Sequence, residues 1–181
     1  MGTNPSSPHA AAQRLLLVTG LSGAGKSTAL DVLEDLGWET IDNFPVRLLH
    51  RLVARTDQAN DGSPKPLAIG FDSRTRGFVP SDIIALLKQL AGRDDLTVSF
   101  MFIDCDDAEL ERRYNETRRR HPMAQGRPLR EGIGAERELL EPMRRWAHIV
   151  IDTSKLSSNE LQSHVRDLFE SEGESEMSLP V

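Results

Sequence analysis

The sequence contains very few of the residue types that build disulfide-bonded, metal-binding or base-stacking proteins. Among 181 residues it has one cysteine, Cys105, and one tyrosine, Tyr114. A single cysteine excludes an internal disulfide and suits a reducing cytoplasm, and its place in an apolar run predicts a buried, unreactive thiol. The five histidines show no metal-ligand spacing. Tyr114 is the one aromatic residue among the clustered arginines of residues 112–130, which is too little to indicate stacking on nucleic-acid bases.

Long apolar segments and a general excess of positive charge are also absent. No apolar stretch approaches the roughly 20 residues that cross a bilayer, and the N-terminus lacks the pattern of a secretory signal. We therefore predict a cytoplasmic protein without a membrane partner. The formal net charge of −6 argues against a generally basic, nucleic-acid-binding surface. The arginines are nevertheless concentrated, because residues 112–130 contain seven of them and one acid.

The length predicts one domain with a core of its own. Residues 1–13 are predicted to be a disordered leader, and residues 171–181 a disordered tail or the start of a linker to a further domain. Over residues 14–170 short apolar runs alternate with helical patterns, which predicts an α/β, three-layer fold with a parallel five-stranded sheet. The pattern also predicts Ser81 or Asp82 as the N-cap of the third helix, a basic helix from Asp106 to Arg120, and a bend or restart near Pro142.

The first candidate site is the glycine-rich segment GLSGAGKS, which joins the first predicted strand to a helix and matches G-x-x-x-x-G-K-[ST] in full. Its residues are Gly20, Leu21, Ser22, Gly23, Ala24, Gly25, Lys26 and Ser27. Glycines let backbone N–H groups surround phosphate oxygens at the positive end of a helix. Lys26 is expected to reach the β- and γ-phosphates, and the Ser27 hydroxyl to coordinate Mg²⁺. The motif predicts a P-loop NTPase with ATP or GTP and Mg²⁺ as cofactors, and without an N-K-x-D motif the sequence does not choose between the two nucleotides.

A polar turn follows the third predicted strand. Asp72 can supply the carboxylate that holds the metal or its water shell, and Arg74 can meet a phosphate. Lys26 and Asp72 are therefore the candidate catalytic residues. Asp104, which ends the fourth predicted strand, is the competing carboxylate.

The residues alone leave the roles of three further segments undecided. Asp42 and Asn43, which follow the second predicted strand, are compatible with binding a second substrate, orienting a water or forming a simple turn. The basic helix fits a solvated face, a lid that neutralises a phosphoryl group, or contact with an RNA backbone. Residues 152–154, after the last strand, fit contact with a nucleotide base or the start of a helix.

The segments GLSGAGKS, DNFP, FDSR and RRYNETRRRHP occur together and in this order in the RNase adapter family, RapZ and YvcJ. The chain resembles the N-terminal nucleotide-binding domain of that family from about Arg14 to Phe169, and RRY-x-x-TRR-x-HP is much more specific than a P-loop alone. The resemblance implies nucleotide kinase-like architecture, ATP and GTP binding and weak nucleotide hydrolysis. It places nucleotide contacts on the P-loop and on four residues after the third strand, namely Asp72, Ser73, Arg74 and Thr75.

The resemblance also implies a regulatory role. Some family members bind small RNAs and present them to a ribonuclease, and they carry a C-terminal domain associated with RNA binding and oligomerisation. This sequence stops where that domain is expected to begin, which fits either a truncated chain or a natural single-domain version. Small RNA and a ribonuclease are therefore expected as partners only through such a C-terminal domain, and a homo-oligomer is a further expected assembly. The alternative class is a small-molecule or nucleotide kinase that uses the same P-loop and an arginine lid.

Overall fold

A computed structural model describes the backbone of residues 12–54 and 64–177, and side chains within 12–53 and 64–170. Five strands of this part of the chain form one parallel sheet in the order β2-β3-β1-β4-β5. The strands are β1 (Gln13–Gly20), β2 (Glu39–Ile41), β3 (Leu67–Gly70), β4 (Leu96–Asp104) and β5 (Ile149–Asp152). The predicted α/β class and five-stranded parallel sheet are confirmed.

Helices alternate with the strands along the chain. They are α1 (Lys26–Asp35), α2 (Leu49–Ala54), α3 (Pro80–Ala91), α4 (Asp107–Thr117), α5 (Leu129–Trp146) and α6 (Ser158–Met177). Helix α1 packs against α6, whereas α3 and α4 pack against α5, so the helices form two groups. The backbone of α6 continues past residue 170, where the sequence placed the domain boundary. Residues 1–11, 55–63 and 178–181, which include most of the predicted leader, lie outside the described residues.

The central strand β1 is buried on both faces. Leu15 to Val18 are at most 1% exposed, as expected when helices cover both sides of a parallel sheet. The carboxyl ends of parallel strands meet at one edge of the sheet, where ligands bind in such folds. The P-loop follows β1 at this edge, and Asp72 follows β3.

Two local predictions were wrong. Helix α4 ends at Thr117 rather than at Arg120, because Arg118 adopts a left-handed conformation with φ 53°. Helix α3 begins at Pro80, whose fixed φ suits the first helical position, so Ser81 and Asp82 lie inside its first turn. Helix α5 continues through Pro142 without a restart, and the bend expected there as the alternative stays a prediction.

Cys105 is 1% exposed, so its predicted burial is confirmed. Burial raises the pKa of its thiol, which favours the unreactive, protonated form. Among the described residues, no helix has both the length and the apolar character needed to cross a membrane.

Candidate functional site

The loop between β1 and α1 has a backbone shape that only glycine adopts easily. Gly23 and Gly25 have φ values of +87° and +120°. Three N–H groups of the loop bind protein acceptors: that of Leu21 donates to Ile103, that of Ser22 to Glu136 and that of Ala24 back to Leu21. The N–H groups of Gly23, Gly25, Lys26 and Ser27 bond to no described residue. These four groups are the ones that this loop can offer to an anion.

Two side chains hold the loop from its outer side. The Arg113 guanidinium donates to the carbonyl oxygens of Gly23 and Ala24 at 3.2 and 3.4 Å, and the Thr153 hydroxyl donates to Ala24 O at 2.6 Å. In a trans peptide the N–H points away from the C=O of the same unit. The carbonyl of Ala24 is therefore fixed outward, and the N–H of Gly25 faces the opposite side.

Lys26 lies between two carboxylates. Its ammonium is ion-paired with Asp42 and lies 3.8 Å from Asp72 Oδ2. The side chains of Lys26 and Asp72 are 9% and 2% exposed, respectively, whereas Asp42 is 35% exposed. Asp42, which the sequence left open, thus belongs to the site and contacts the predicted phosphate-binding lysine.

Asp72 is a buried carboxylate held by its own turn. It accepts hydrogen bonds from the Arg74 guanidinium at 2.8 Å and from the Arg74 backbone N–H at 2.9 Å, while Thr75 Oγ1 accepts from the Asp72 N–H. Burial by itself raises the pKa of Asp72, but the hydrogen bonds from Arg74 and the charges of Arg74 and Lys26 outweigh it and lower the pKa. Asp72 is therefore ionised at neutral pH, as an oxygen ligand of a cation must be.

A cavity of about 450 Å³ opens above the loop, a size within the usual range for small-molecule sites. Residues of the P-loop, Asp72 and Arg74 line one side. Side chains from α4 and the segment after it line the other, among them Arg113, Tyr114, Arg119 and Arg120. The arginine-rich segment thus lies on the P-loop side of the sheet, as the lid hypothesis requires.

The competing carboxylate Asp104 has a different environment. Arg137 and Arg144 donate to its two oxygens at 3.1 and 2.7 Å, and it lines a separate hollow with Asp106 and Asp107. Asp72, and not Asp104, therefore lies beside the P-loop cavity.

The residues that follow β5 support the P-loop from behind. Thr153 is 1% exposed and bonds to the loop, and residues 152–154 are absent from the cavity lining. The start of α6 is capped instead by Ser157 and Glu160, which accept each other's backbone N–H.

The sequence did not indicate the role of Glu136, on α5. Its carboxylate is fully buried and accepts four hydrogen bonds. Oε1 accepts from the hydroxyls of Ser22 and Ser73 at 2.7 Å, and Oε2 accepts from the Ser22 N–H and His121 Nε2 at 3.0 Å. Burial raises the pKa of Glu136, but these hydrogen bonds, from His121 first, outweigh it and lower the pKa. One ionised side chain therefore joins the P-loop, the turn after β3 and the arginine-rich segment.

His121 completes this connection. Its Nδ1 accepts the backbone N–H of Met123 at 3.1 Å, so the ring hydrogen that faces Glu136 lies on Nε2. The side chain is fully buried. His121, which follows the arginines of this segment, thus packs inside the protein.

The site has the oxygen ligands that Mg²⁺ needs beside a nucleotide. No group of three or more His, Cys, Asp or Glu that could hold a metal occurs within residues 12–54 and 64–177. Mg²⁺ bound to phosphates needs only one or two protein oxygens. Ser27 is exposed in the first turn of α1, and Asp72 is ionised. The donor set therefore fits a nucleotide-bound Mg²⁺ better than a metal held by protein alone.

Replacing Arg113 with methionine is expected to weaken triphosphate binding about tenfold, because the outward anchor of two loop carbonyls is lost. Equilibrium titration with a fluorescent nucleotide measures the change. Arg145→Met is the matched control, since Arg145 is exposed and its one ion pair with a described residue is that with Glu141. Equal affinities of the two variants would contradict the role of Arg113.

A parallel sheet with a glycine-rich loop between β1 and α1, and a buried aspartate after the neighbouring strand, defines a P-loop protein of the kinase-like class. Shikimate kinase from Bacteroides thetaiotaomicron shares the fold, with a TM-score of 0.57 and 20% identity over 88% of this chain and 97% of that chain. A shikimate kinase from Acinetobacter baumannii, in complex with shikimate, gives 0.52 at 20% identity, covering 93% of this chain and 98% of that one.

Residues 13–173 match the RapZ-like N-terminal domain family, and the chain belongs to this family. A nucleotide-binding protein from Erythrobacter litoralis is 60% identical over 167 residues, 92% of this chain and 55% of that protein. One from Novosphingobium aromaticivorans is 58% identical over 164 residues, 90% of this chain and 54% of that protein. The resemblance predicted from the motifs is confirmed, and the chain spans about half the length of these relatives.

Proposed function

We propose that this chain binds ATP or GTP with Mg²⁺ at the P-loop, hydrolyses it slowly, and serves as the nucleotide-responsive part of a regulatory protein. The observation that carries the proposal is the loop itself, in which four N–H groups bond to no described residue and lie beside the buried pair Lys26 and Asp72. The relatives named as nucleotide-binding proteins support it.

The residues around the cavity have different roles in the proposed binding of nucleotide. The N–H groups of Gly23 and Gly25 and the start of α1 bind the phosphates. Lys26 exchanges its ion pair with Asp42 for the β- and γ-phosphates, while Ser27 and Asp72 hold the metal. When bound, Mg²⁺ neutralises charge on the phosphate oxygens. Arg119 and Arg120 contribute positive charge from the other side of the cavity.

The environment of Asp72 supports slow hydrolysis. A carboxylate whose pKa is lowered is a weak general base. Asp72 has a lowered pKa and is bound by Arg74. We therefore do not assign Asp72 the role of a strong base for water.

Turnover in the presence of acceptors tests this proposal against a small-molecule kinase. The kinase alternative is favoured by Asp42, which is partly exposed beside Lys26. Release of phosphate from ATP and GTP is measured alone and with a panel of hydroxyl-bearing metabolites. We expect slow release that falls in Lys26→Ala and Asp72→Asn and is not stimulated by acceptors. Stimulation by tens of fold with one acceptor would establish the kinase instead.

We assign small-RNA binding, contact with a ribonuclease and homo-oligomer formation to the full-length relatives. About half of their length lies outside this chain, and the cytoplasmic location stays a prediction. Salt-dependent gel shifts of a small RNA are expected with a full-length relative and absent with residues 1–181. Suppose instead that this chain shifts the RNA in a salt-sensitive way and that changing Arg118–Arg120 to alanine abolishes the shift. That result would contradict the assignment.

A further inference from the structure

A second cavity lies beside the nucleotide cavity, formed by the segment that joins α4 to α5. Its volume is about 730 Å³. Four positive side chains line it, those of Arg118, Arg119, Arg120 and Arg127. None of the described residues that line it is an aspartate or glutamate. We call it the arginine cavity.

The charges of the arginine cavity are uncompensated, unlike those of the neighbouring arginines. Of the seven arginines between residues 112 and 130, three are paired: Arg112 and Arg113 with Glu109, and Arg130 with Glu111. The remaining four are those that line the cavity, and none of them forms an ion pair with a described carboxylate. In a chain with net charge −6 this is a local concentration of positive charge facing one concave space.

The backbone around the cavity has a specified shape. Arg118, Gln125 and Gly126 have φ values of 53°, 47° and 85°, in the left-handed region. The segment between α4 and α5 also packs directly on α5, because a Cβ on Gly132 of that helix would lie 2.8 Å from the backbone nitrogen of Ala124. The buried bond between His121 and Glu136 fixes its middle. The arginines therefore project from a preformed wall, which lowers the entropy cost of binding a ligand.

We propose that the arginine cavity binds a second small molecule through a phosphate group, in addition to the nucleotide. Guanidinium groups match the geometry of phosphate oxygens and bind them through paired N–H groups. The concave shape and its volume suit a small ligand, and one tyrosine offers little stacking surface for a polymer. Arg119 and Arg120 line both cavities, whereas Arg118 and Arg127 line only the second one. The two sites are therefore separable by mutation.

Calorimetric titration of nucleotide-saturated protein tests the proposal. The P-loop cavity is first filled with Mg²⁺ and a non-hydrolysable ATP analogue, and ribose 5-phosphate or inorganic phosphate is then added. Because the phosphate group itself is recognised, we expect both probes to bind, and ribose not to bind. Arg118→Asn combined with Arg127→Gln is expected to weaken binding at least about tenfold; asparagine tolerates the left-handed conformation at 118. Arg130→Gln is the control, since Arg130 pairs with Glu111 outside both cavities.

The outcomes separate this inference from the proposed nucleotide function. Three results would each overturn the second site. They are no binding of either probe, unchanged binding in the double variant, and binding of a short oligouridylate without binding of the probes. The probes are also titrated into Lys26→Ala without nucleotide, where binding is expected to persist. Loss of binding there would place the probe in the P-loop and overturn the second site. Failure of the wild type to bind nucleotide would contradict the nucleotide function alone.

Discussion

Replacement of Glu136 with alanine is expected to lower the free energy of unfolding by about 2–6 kcal/mol. The hydroxyls of Ser22 and Ser73 can rotate toward other acceptors, but the Ser22 N–H and His121 Nε2 lose their partner inside the protein. Each unpaired buried donor costs about 1–3 kcal/mol. Because small domains are stable by only about 5–15 kcal/mol, urea denaturation should show the change clearly.

Glutamine at position 136 is the matched variant that separates hydrogen bonding from charge. Its amide oxygen can accept the Ser22 N–H and His121 Nε2, and its amide nitrogen can donate to the two hydroxyl oxygens. We expect most of the stability and nucleotide affinity to be retained. Equal destabilisation by alanine and glutamine at neutral pH would show that the charge matters and that the hydrogen bonds do not.

The stability of the wild type and that of Glu136→Gln should also differ in their dependence on pH. The pKa of Glu136 is lowered from its ordinary value of 4.5 by hydrogen bonds to the carboxylate. Its contribution to stability is therefore fully present above that value and is lost as the pH falls through the lowered pKa. The stability difference between wild type and Glu136→Gln should shrink as the pH falls below 4.5. A difference that stays constant in acid would contradict an ionised Glu136.

Replacement of Gly25 with alanine is expected to abolish measurable nucleotide binding while leaving a folded protein. The φ of +120° is rarely adopted by residues with a Cβ, and holding it costs about 1–3 kcal/mol. The new Cβ would lie 2.6 Å from Leu161 Cδ2 of α6. Relief of this strain changes the direction of the Gly25 N–H, which faces the phosphate side of the loop.

Gly37→Ala is the control for this substitution. Gly37 has a φ of +89°, at the end of α1, and a Cβ there would meet nothing within 4 Å. We expect a comparable loss of stability with unchanged nucleotide affinity. If both variants bind nucleotide as the wild type does, the loop does not depend on the conformation of Gly25.

The features that the sequence predicted are those encoded by neighbouring residues. The P-loop is a contiguous pattern of glycines, Lys26 and Ser27, and the central strands are continuous apolar runs such as Leu15 to Val18. The end of α4 was missed, because Arg118 adopts a positive φ without the glycine or asparagine that usually indicates one.

The parts of the site that the sequence did not predict depend on contacts between residues far apart in the chain. The pairing of Lys26 with Asp42 joins the start of α1 to the residue after β2, and the sequence contains no local pattern for it. Glu136 did leave a signal. It lies with Ile133, Leu140 and Met143 on the buried stripe of α5, so an acid occupies a helical position that otherwise predicts an apolar residue. Such a position indicates a carboxylate with buried partners.

Calorimetric titration with ATP, GTP, ADP and GDP, with and without Mg²⁺, tests most directly whether the P-loop holds the phosphates of a nucleotide. We predict one tight nucleotide site per chain, at the P-loop, binding of the triphosphates that Mg²⁺ strengthens, and a loss of at least about tenfold in Lys26→Ala, in which a charged phosphate contact is removed. Arg145→Met should bind as the wild type does. No binding by the wild type, or equal binding by Lys26→Ala, would contradict the account.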